Sequence, residues 1–531
     1  MLPDAERAAR PPFDRDGAAG DDLDDTAQRA GSIGRVALVA AVLAVLVGTG
    51  LRFVAPSALW LDEAQSVAIA RSDLPGLFAG LRQDGAPPLY YLLLHGWMSV
   101  FGTGAFAVRA LSGLFSVLSL PLAWWLGRRL GGPRVAGVLV LILASSPFAV
   151  RYASETRMYS LLVLLALLVA AAVDWAVRRP GPWPVLAVAA SGGALLLTHY
   201  WGAYLLVVVG LIALAGLRRH RAAAFRVLTG LVLAGVLFLP WLPTVRWQSA
   251  HTGTPWAGVG GLTSITVALG GWQGGGGALA LLLGDVFVVL AVLALFTVPT
   301  GAVVRLGVNR NPQRWLLLTI WLGTLVVAGV ASLLTSSGVV ARYSSVAFPA
   351  FLALVAVGIA GLPGRRVKAG VLTACVLGGL VVSGMQAGKS RTQAAEVAAA
   401  LGSASPGDTV VFCPDQLGPA VARLAPPDLH LLSYPDLTPA DRVDWTDYAQ
   451  RNRAAAPALV AAQVSAQAAD HTVYLVTSRG YRVPSDTTCS RLREALAQLR
   501  GAPEEVVHRS TKAGEGMRLQ RFDPSGSPAG S

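Results

Sequence analysis

The stretch AVRALSGLFSVLSLPLAWWLGRRLGGPRVAGVLVLILASSPFAV (107–150) decides the fold. Two apolar runs, 107–127 and 133–150, flank a short segment that carries Arg128 and Arg129, and Arg134 stands at the start of the second run. About 20 apolar residues in a helix cross the roughly 30 Å hydrocarbon layer of a bilayer, and each run is close to that length. The arginines mark the connection as cytoplasmic, because Lys and Arg are enriched in loops on that side. The pair reads as one helix reaching the inner face and one leaving it.

The same pattern extends along the chain. Apolar blocks lie at 34–54, 107–127, 133–150, 158–177, 183–198, 201–217, 227–244, 278–300, 315–334, 344–361 and 368–386, which predicts eleven crossings. With the N-terminus inside, Arg178 and Arg179, then Arg218, Arg219, Arg221 and Arg226, all fall on the cytoplasmic side. Arg305, Arg310 and Arg314, and finally Arg365, Arg366 and Lys368, follow the same rule. Composition agrees: 54% of the 531 residues are hydrophobic and 14% are charged, against about 25% charged in soluble domains. The net charge of +13 is spread between apolar blocks and forms no single basic face, which excludes nucleic acid as a partner.

One apolar stretch breaks the scheme. Counting 87–104 (PPLYYLLLHGWMSVFGTG) as a span would move every later arginine cluster outside. It is therefore expected to lie in or dip into the outer interface, where Tyr90, Tyr91, His95 and Trp97 suit the polar boundary.

The predicted organisation has four parts. Residues 1–32 lack an apolar period and read as a disordered cytoplasmic tail. Residues 33–388 form the transmembrane domain, whose first block is placed and sized as a retained anchor. Residues 389–522 form an extracytoplasmic α/β domain, and 523–531 a disordered tail. Within the third part, 408–413, 429–434, 472–477 and 517–522 read as strands, and 392–401, 449–463 and 487–499 as helices. GGWQGGGG (270–277) reads as a flexible loop. Cys375 lies in a span, whereas Cys413 and Cys489 share the outer domain, where a disulfide could form.

Ionisable residues from distant segments converge on the outer boundary in this topology. LWLDEAQ (59–65) brings Asp62 and Glu63, and LRQDGAPPLYY (81–91) brings Asp84 and Tyr90. RYASETRMY (151–159) brings Glu155, Arg157 and Tyr159, THYW (198–201) brings His199, and ARYSS (341–345) brings Arg342 and Tyr343. Each has a plainer reading. Asp62 and Glu63 could be first-turn acids of an interfacial helix. Glu155 and Arg157 could be a local ion pair, and His199 an interfacial histidine. Arg71, Arg82, Arg109 and Arg246 read as helix anchors that snorkel.

Together, the Asp-Glu pair in the first outer loop, the PPLYY helix, the outer Glu-x-Arg-x-Tyr and the later Arg-Tyr resemble the GT-C glycosyltransferases. The likeness is to the protein O-mannosyltransferase-like group, family 39, which is similar to the lipid A aminoarabinose transferase, and it covers about 34–361. It implies a polytopic GT-C-like helical fold and transfer, usually with inversion, of a mannose-like or arabinofuranose-like sugar. The donor would be a polyprenyl-phosphate sugar and the acceptor a cell-envelope glycan, lipid or protein on the outer face of the membrane. By match to the family's first-loop acid, Asp62 is the expected general base, positioned by Glu63. Arg342 and Arg157 are the expected donor-phosphate ligands. Asp84, Tyr90, Glu155, Tyr159, His199 and Tyr343 are expected to bind substrate. Where many relatives have His before the Pro-Pro pair, and the aminoarabinose transferase Lys, this chain has Ala86. A divalent metal held through Asp84, Glu155 and His199 stays open, and no metal is assigned. Two other classes compete: a lipid or sugar transporter or flippase, and a non-catalytic scaffold for envelope assembly.

Overall fold

The computed structural model describes residues 18–253, 258, 260–300, 303–335, 337–481 and 483–524. Most of the two tail readings, at 1–17 and 525–531, lies outside them. Helix α1 (Ala18–Leu51) starts ahead of its apolar block, and Arg52 just past its end donates to Leu143 O, Ala144 O and Ser116 Oγ. Three shorter helices follow: α2 (Leu61–Arg71), α3 (Leu74–Asp84) and α4 (Leu89–Phe101). At 13 residues and 1.5 Å per residue, α4 is about 20 Å long, short of a full crossing. This length is compatible with the interfacial placement of 87–104.

The quoted stretch forms α5 (Ala105–Ser145), which breaks at Gly131 and Gly132, where Gly132 takes φ +75°. Its two arms fold back so tightly that a Cβ on Gly127 would sit 2.4 Å from Ala136 Cα. This is the hairpin expected from the two apolar runs and their arginines. Next come α6 (Pro147–Ala153), α7 (Tyr159–Arg178), α8 (Pro182–Leu196), α9 (Trp201–Gly216) and α10 (Arg221–Phe238). They lead to α11 (Leu242–His251), α12 (Thr263–Trp272) and α13 (Ala278–Phe296). The expected loop at 270–277 is thus partly helix. A short ribbon of β1 (Thr297–Thr300) and β2 (Val303–Leu306) connects to α14 (Pro312–Thr335). A 3-10 turn, Ala341–Val346, precedes α15 (Phe348–Gly361) and α16 (Arg365–Ala387).

Each of the eleven apolar blocks is built on a helix, and among the described residues six helices are long and apolar enough to cross a membrane. Leucines and valines at 43, 118, 232, 282 and 333 stay exposed, as a lipid-facing surface requires. Helix α15 lies at the centre of the bundle, with Phe351 through Ala356 buried.

The C-terminal region comprises α17 (Ala394–Ala400), β3 (Thr409–Cys413), α18 (Gly418–Ala422), β4 (His430–Ser433) and β5 (Thr438–Pro439). It continues with α19 (Tyr448–Ala454), α20 (Pro457–Ala468), β6 (Val473–Thr477), α21 (Asp486–Arg500), β7 (Glu504–Val507) and β8 (Arg518–Phe522). The six strands form one mixed sheet in the order β5-β4-β3-β6-β8-β7, with β3 parallel to both neighbours. Strand alternation explains its two faces. Val411, Cys413 and Leu475 pack under α20 and α21, while Val410, Phe412 and Val476 join the core that continues through α17 and α18 to the bundle. Cys413 and Cys489 are disulfide-bonded, with 5.6 Å between Cα atoms. The four strands read from the sequence are present. The short β5 and β7 were not expected.

Candidate functional site

Helix α2 sorts the Asp-Glu pair into two environments. Successive helical side chains point about 100° apart, so when Glu63 faces the interior its neighbour Asp62 faces a cavity. Glu63 is fully buried and takes Arg109 in a two-pronged pair, Nε to Oε1 at 2.8 Å and Nη2 to Oε2 at 2.6 Å. The backbone N–H of Thr156 also donates to Oε1 at 3.0 Å, and Arg391 Nη1 lies 3.6 Å away. Arg109, only 4% exposed, spends its remaining donors on the carbonyls of Ala55, Ser57 and Ala58. The expectation that Arg109 merely snorkels is therefore corrected: its partner is a buried carboxylate.

Hydrogen bonds to charged groups are worth about 1.5–3 kcal/mol each. Glu63→Gln keeps the shape but turns an amide NH₂ toward Arg109, so it should destabilise the protein by about that amount. Thermal unfolding of the detergent-solubilised variant checks this, and an unchanged midpoint would show that the pair does not hold the loop.

Asp62 is placed differently. Its Oδ2 lies 3.1 Å from Arg342 Nη2 and 4.0 Å from Arg157 Nε. Arg342 comes from the 3-10 turn before α15, where its guanidinium lies within 6.0 Å of the Trp60, Tyr159 and Tyr343 rings. Arg157 Nη1 donates to Ser66 Oγ at 3.0 Å and Tyr91 OH at 3.2 Å. Arg157 Nε, Arg342 Nε and Tyr159 OH are buried without a hydrogen-bond partner, and Asp62 Oδ2 has none beyond its ion pairs with these two arginines. Such unspent capacity is unusual for buried groups and is what a polar substrate could use.

Two cavities meet at this point. The larger, about 820 Å³, is lined by Asp62, Trp60 and Arg342, by Tyr152, Arg151 and the 270–275 glycines, and by Lys389, Arg391, Tyr481 and Lys512–Glu515. The smaller, about 510 Å³, is lined by Asp62, Arg157 and Arg342, by Asp84, His199 and Tyr343, and by Trp201, Tyr204, Gln248 and Thr335. Asp62 and Arg342 belong to both walls.

The remaining expected residues divide. Asp84 is bound by Tyr91 OH at 2.9 Å and Gln65 Nε2 at 3.3 Å, and burial raises its carboxyl above the usual range. His199 packs 4.8 Å from Tyr343 and accepts from Trp201 N; burial, then Arg157 and Arg342, hold it down to about 3, so its ring is neutral. Tyr159 is buried behind Tyr343, with ring centroids 6.4 Å apart. Tyr159 and two further residues, Tyr90 and Glu155, line neither cavity. Tyr90 turns its hydroxyl to Ser112 at 3.0 Å, and the neighbouring Tyr91, buried as well, bonds Arg157 instead. Glu155 is buried 3.3 Å from Arg151 and lines neither cavity, and burial raises its carboxyl. The structure does not assemble Asp84, Glu155 and His199 into a metal-binding group; among the described residues no three such side chains converge. Arg391, Lys389, Lys512 and Glu515 were missed because nothing in their local sequence says that residues after the last span return to α2.

Residues 85–243 match the family described as dolichyl-phosphate-mannose-protein mannosyltransferase. Among solved structures, the chain is similar to ArnT from Cupriavidus metallidurans in the apo state, with TM-score 0.58, 16% identity, and 92% of this chain and 98% of that chain covered. The same protein bound to undecaprenyl phosphate gives TM-score 0.54 at 15% identity, again covering 92% and 98%. No curated protein matches the chain. The fold is that of the GT-C glycosyltransferases.

Proposed function

We propose that this chain is a membrane glycosyltransferase that moves a sugar from a polyprenyl-phosphate donor to a cell-envelope acceptor on the outer face, with Asp62 as general base. The observation that carries this reading is the position of Asp62 and Arg342 on the wall common to two cavities. The smaller cavity is bounded by α9, α11 and α14 of the bundle and holds both Arg157 and Arg342. That suits a donor whose tail lies in lipid and whose phosphate needs guanidinium partners. The larger is bounded by the C-terminal domain, which suits an acceptor arriving from water. The ArnT structure bound to undecaprenyl phosphate supports the donor class.

In this arrangement the acceptor hydroxyl gives its proton to Asp62 as its oxygen attacks the anomeric carbon. The bond from that carbon to the phosphate oxygen breaks, and the departing phosphate gathers charge against Arg342 and Arg157. Attack from the cavity opposite the leaving group inverts the anomeric centre. Glu63 and Arg109 hold the loop and touch no reactant. A transporter would place its ionisable groups near mid-bilayer; these stand on α2 and at the α6–α7, α8–α9 and α14–α15 connections. Incubating the purified protein with a panel of polyprenyl-phosphate sugars should release polyprenyl phosphate from one of them when acceptor is present, and no release across the panel would remove the reading.

The site must also face outward. Cysteines introduced at positions 155 and 450 of a Cys375→Ser background should be reached by a membrane-impermeant maleimide from outside, while those at 129 and 219 stay protected. Position 155 is buried, so its labelling is scored after mild denaturation of the outer face. Outside labelling at 129 would show that 87–104 crosses the bilayer and would reverse the orientation.

A further inference from the structure

Helix α2 carries the proposed base, yet its own side chains take only the Trp60 N–H, which donates to Glu63 Oε2 at 3.4 Å, and none of them accepts from the amide of its first residue, Leu61. The cap position is normally Ser, Thr, Asp or Asn, whose side-chain oxygen accepts from a first-turn N–H. Here it is Trp60, which has no such oxygen. The amide of Leu61 instead donates to Glu515, at 3.1 Å to Oε1 and 3.3 Å to Oε2, across 454 residues. Glu515 is 7% exposed, and its place is fixed by backbone pairing with the segment that follows the last span. Gly514 N donates to Ser390 O, Glu515 N to Arg391 O, and Gln393 N to Glu515 O, all within 3.1 Å. A Cβ on Gly514 would meet Arg391 O at 2.7 Å, so only glycine allows the approach. The same segment sends Arg391 to Ser154 O at 2.6 Å and Ser154 Oγ at 2.7 Å. One turn further along α2, Gln65 exchanges two hydrogen bonds with the Val443 backbone, at 2.8 and 2.9 Å.

We propose that Glu515 is a positioning residue: the C-terminal domain supplies the missing cap of α2 and thereby fixes where Asp62 stands between the two cavities. The catalytic consequence rests on Asp62 being the base, whereas the capping itself does not. Loss of a cap frees the first turn of a helix, which here is Leu61, Asp62 and Glu63. Burial pushes the Glu515 carboxyl up to about 8, so near pH 7 its carbonyl oxygen is the accepting atom, a role that a glutamine amide reproduces.

The test uses the full-length protein in detergent, with amide hydrogen exchange of 61–66 read by mass spectrometry beside turnover of a donor from the panel. Glu515→Ala should speed exchange of 61–66 by about tenfold while strands 409–413 and 473–477 keep their protection. It should lower kcat by about tenfold and leave the KM for donor unchanged, since Arg157 and Arg342 are untouched. Glu515→Gln should restore both. If the alanine variant unfolds the domain, Glu515→Asp, which keeps the carboxyl group but withdraws it by one methylene, should give the same local loss. Unchanged exchange at 61–66, or a glutamine variant as impaired as alanine, overturns the proposal. Faster exchange with unchanged turnover would leave the cap standing and remove Asp62 from the chemistry.

Discussion

Asp62→Asn is expected to lower turnover by about 10² to 10⁴, the usual contribution of a positioned general base, while the protein folds normally. Asparagine matches the carboxylate in size and still offers an oxygen to Arg342, which lies 3.1 Å from Oδ2. What it loses is the capacity to accept the acceptor's proton. The separation of roles along α2 makes the test clean, because Glu63 and Arg109 carry the structural load next door. The KM for donor should hardly move, since donor phosphate is assigned to the arginines. Steady-state transfer assays on monodisperse protein decide it. Wild-type turnover by a well-folded variant would exclude Asp62, and Asp84, already committed to Tyr91 and Gln65, would be the next carboxylate to examine.

What the sequence disclosed and what it hid follow from the range of the forces involved. Hydropathy acts within one helix, so each of the apolar blocks corresponds to helix in the structure, and the arginines at 128, 129 and 134 bracket the break at Gly131 and Gly132. Alternation within a strand is equally local, and the strands at 409–413 and 473–477 were legible for that reason. The pairing of Cys413 with Cys489 was an open possibility that the fold realises. Direction around a helix is another matter. Asp62 beside Glu63, and Tyr90 beside Tyr91, look equivalent in a string, and only the packing of α2 and α4 decides that Asp62 faces a cavity and that Tyr91, not Tyr90, bonds Arg157 and Asp84. Arg109 was misread because an arginine in an apolar run looks like an anchor until a buried carboxylate is seen opposite. Glu515 and Arg391 reach α2 through tertiary contacts that leave no local pattern at all.

Arg342→Ala is expected to lower kcat/KM by about 10² to 10³, the cost of removing a fixed donor from developing charge in a site shielded from water. The loss should divide differently from that of Asp62→Asn. The phosphate is charged in the bound donor and gains charge as it leaves, so an arginine facing it contributes to both states, and KM should rise as kcat falls. Arg342 is held by its surroundings: it stands on a 3-10 turn, within 6.0 Å of three aromatic rings and 3.1 Å from Asp62. Lysine keeps the charge but lacks the planar fork and its fit to those rings, so Arg342→Lys should recover only part of the loss. Arg157 keeps its bonds to Ser66 and Tyr91 in either variant, and residual donor binding should come from it. Titrating a fluorescent polyprenyl phosphate into wild type and both variants separates binding from chemistry. Unchanged affinity in the alanine variant would take the phosphate away from Arg342 and leave it only the task of orienting Asp62.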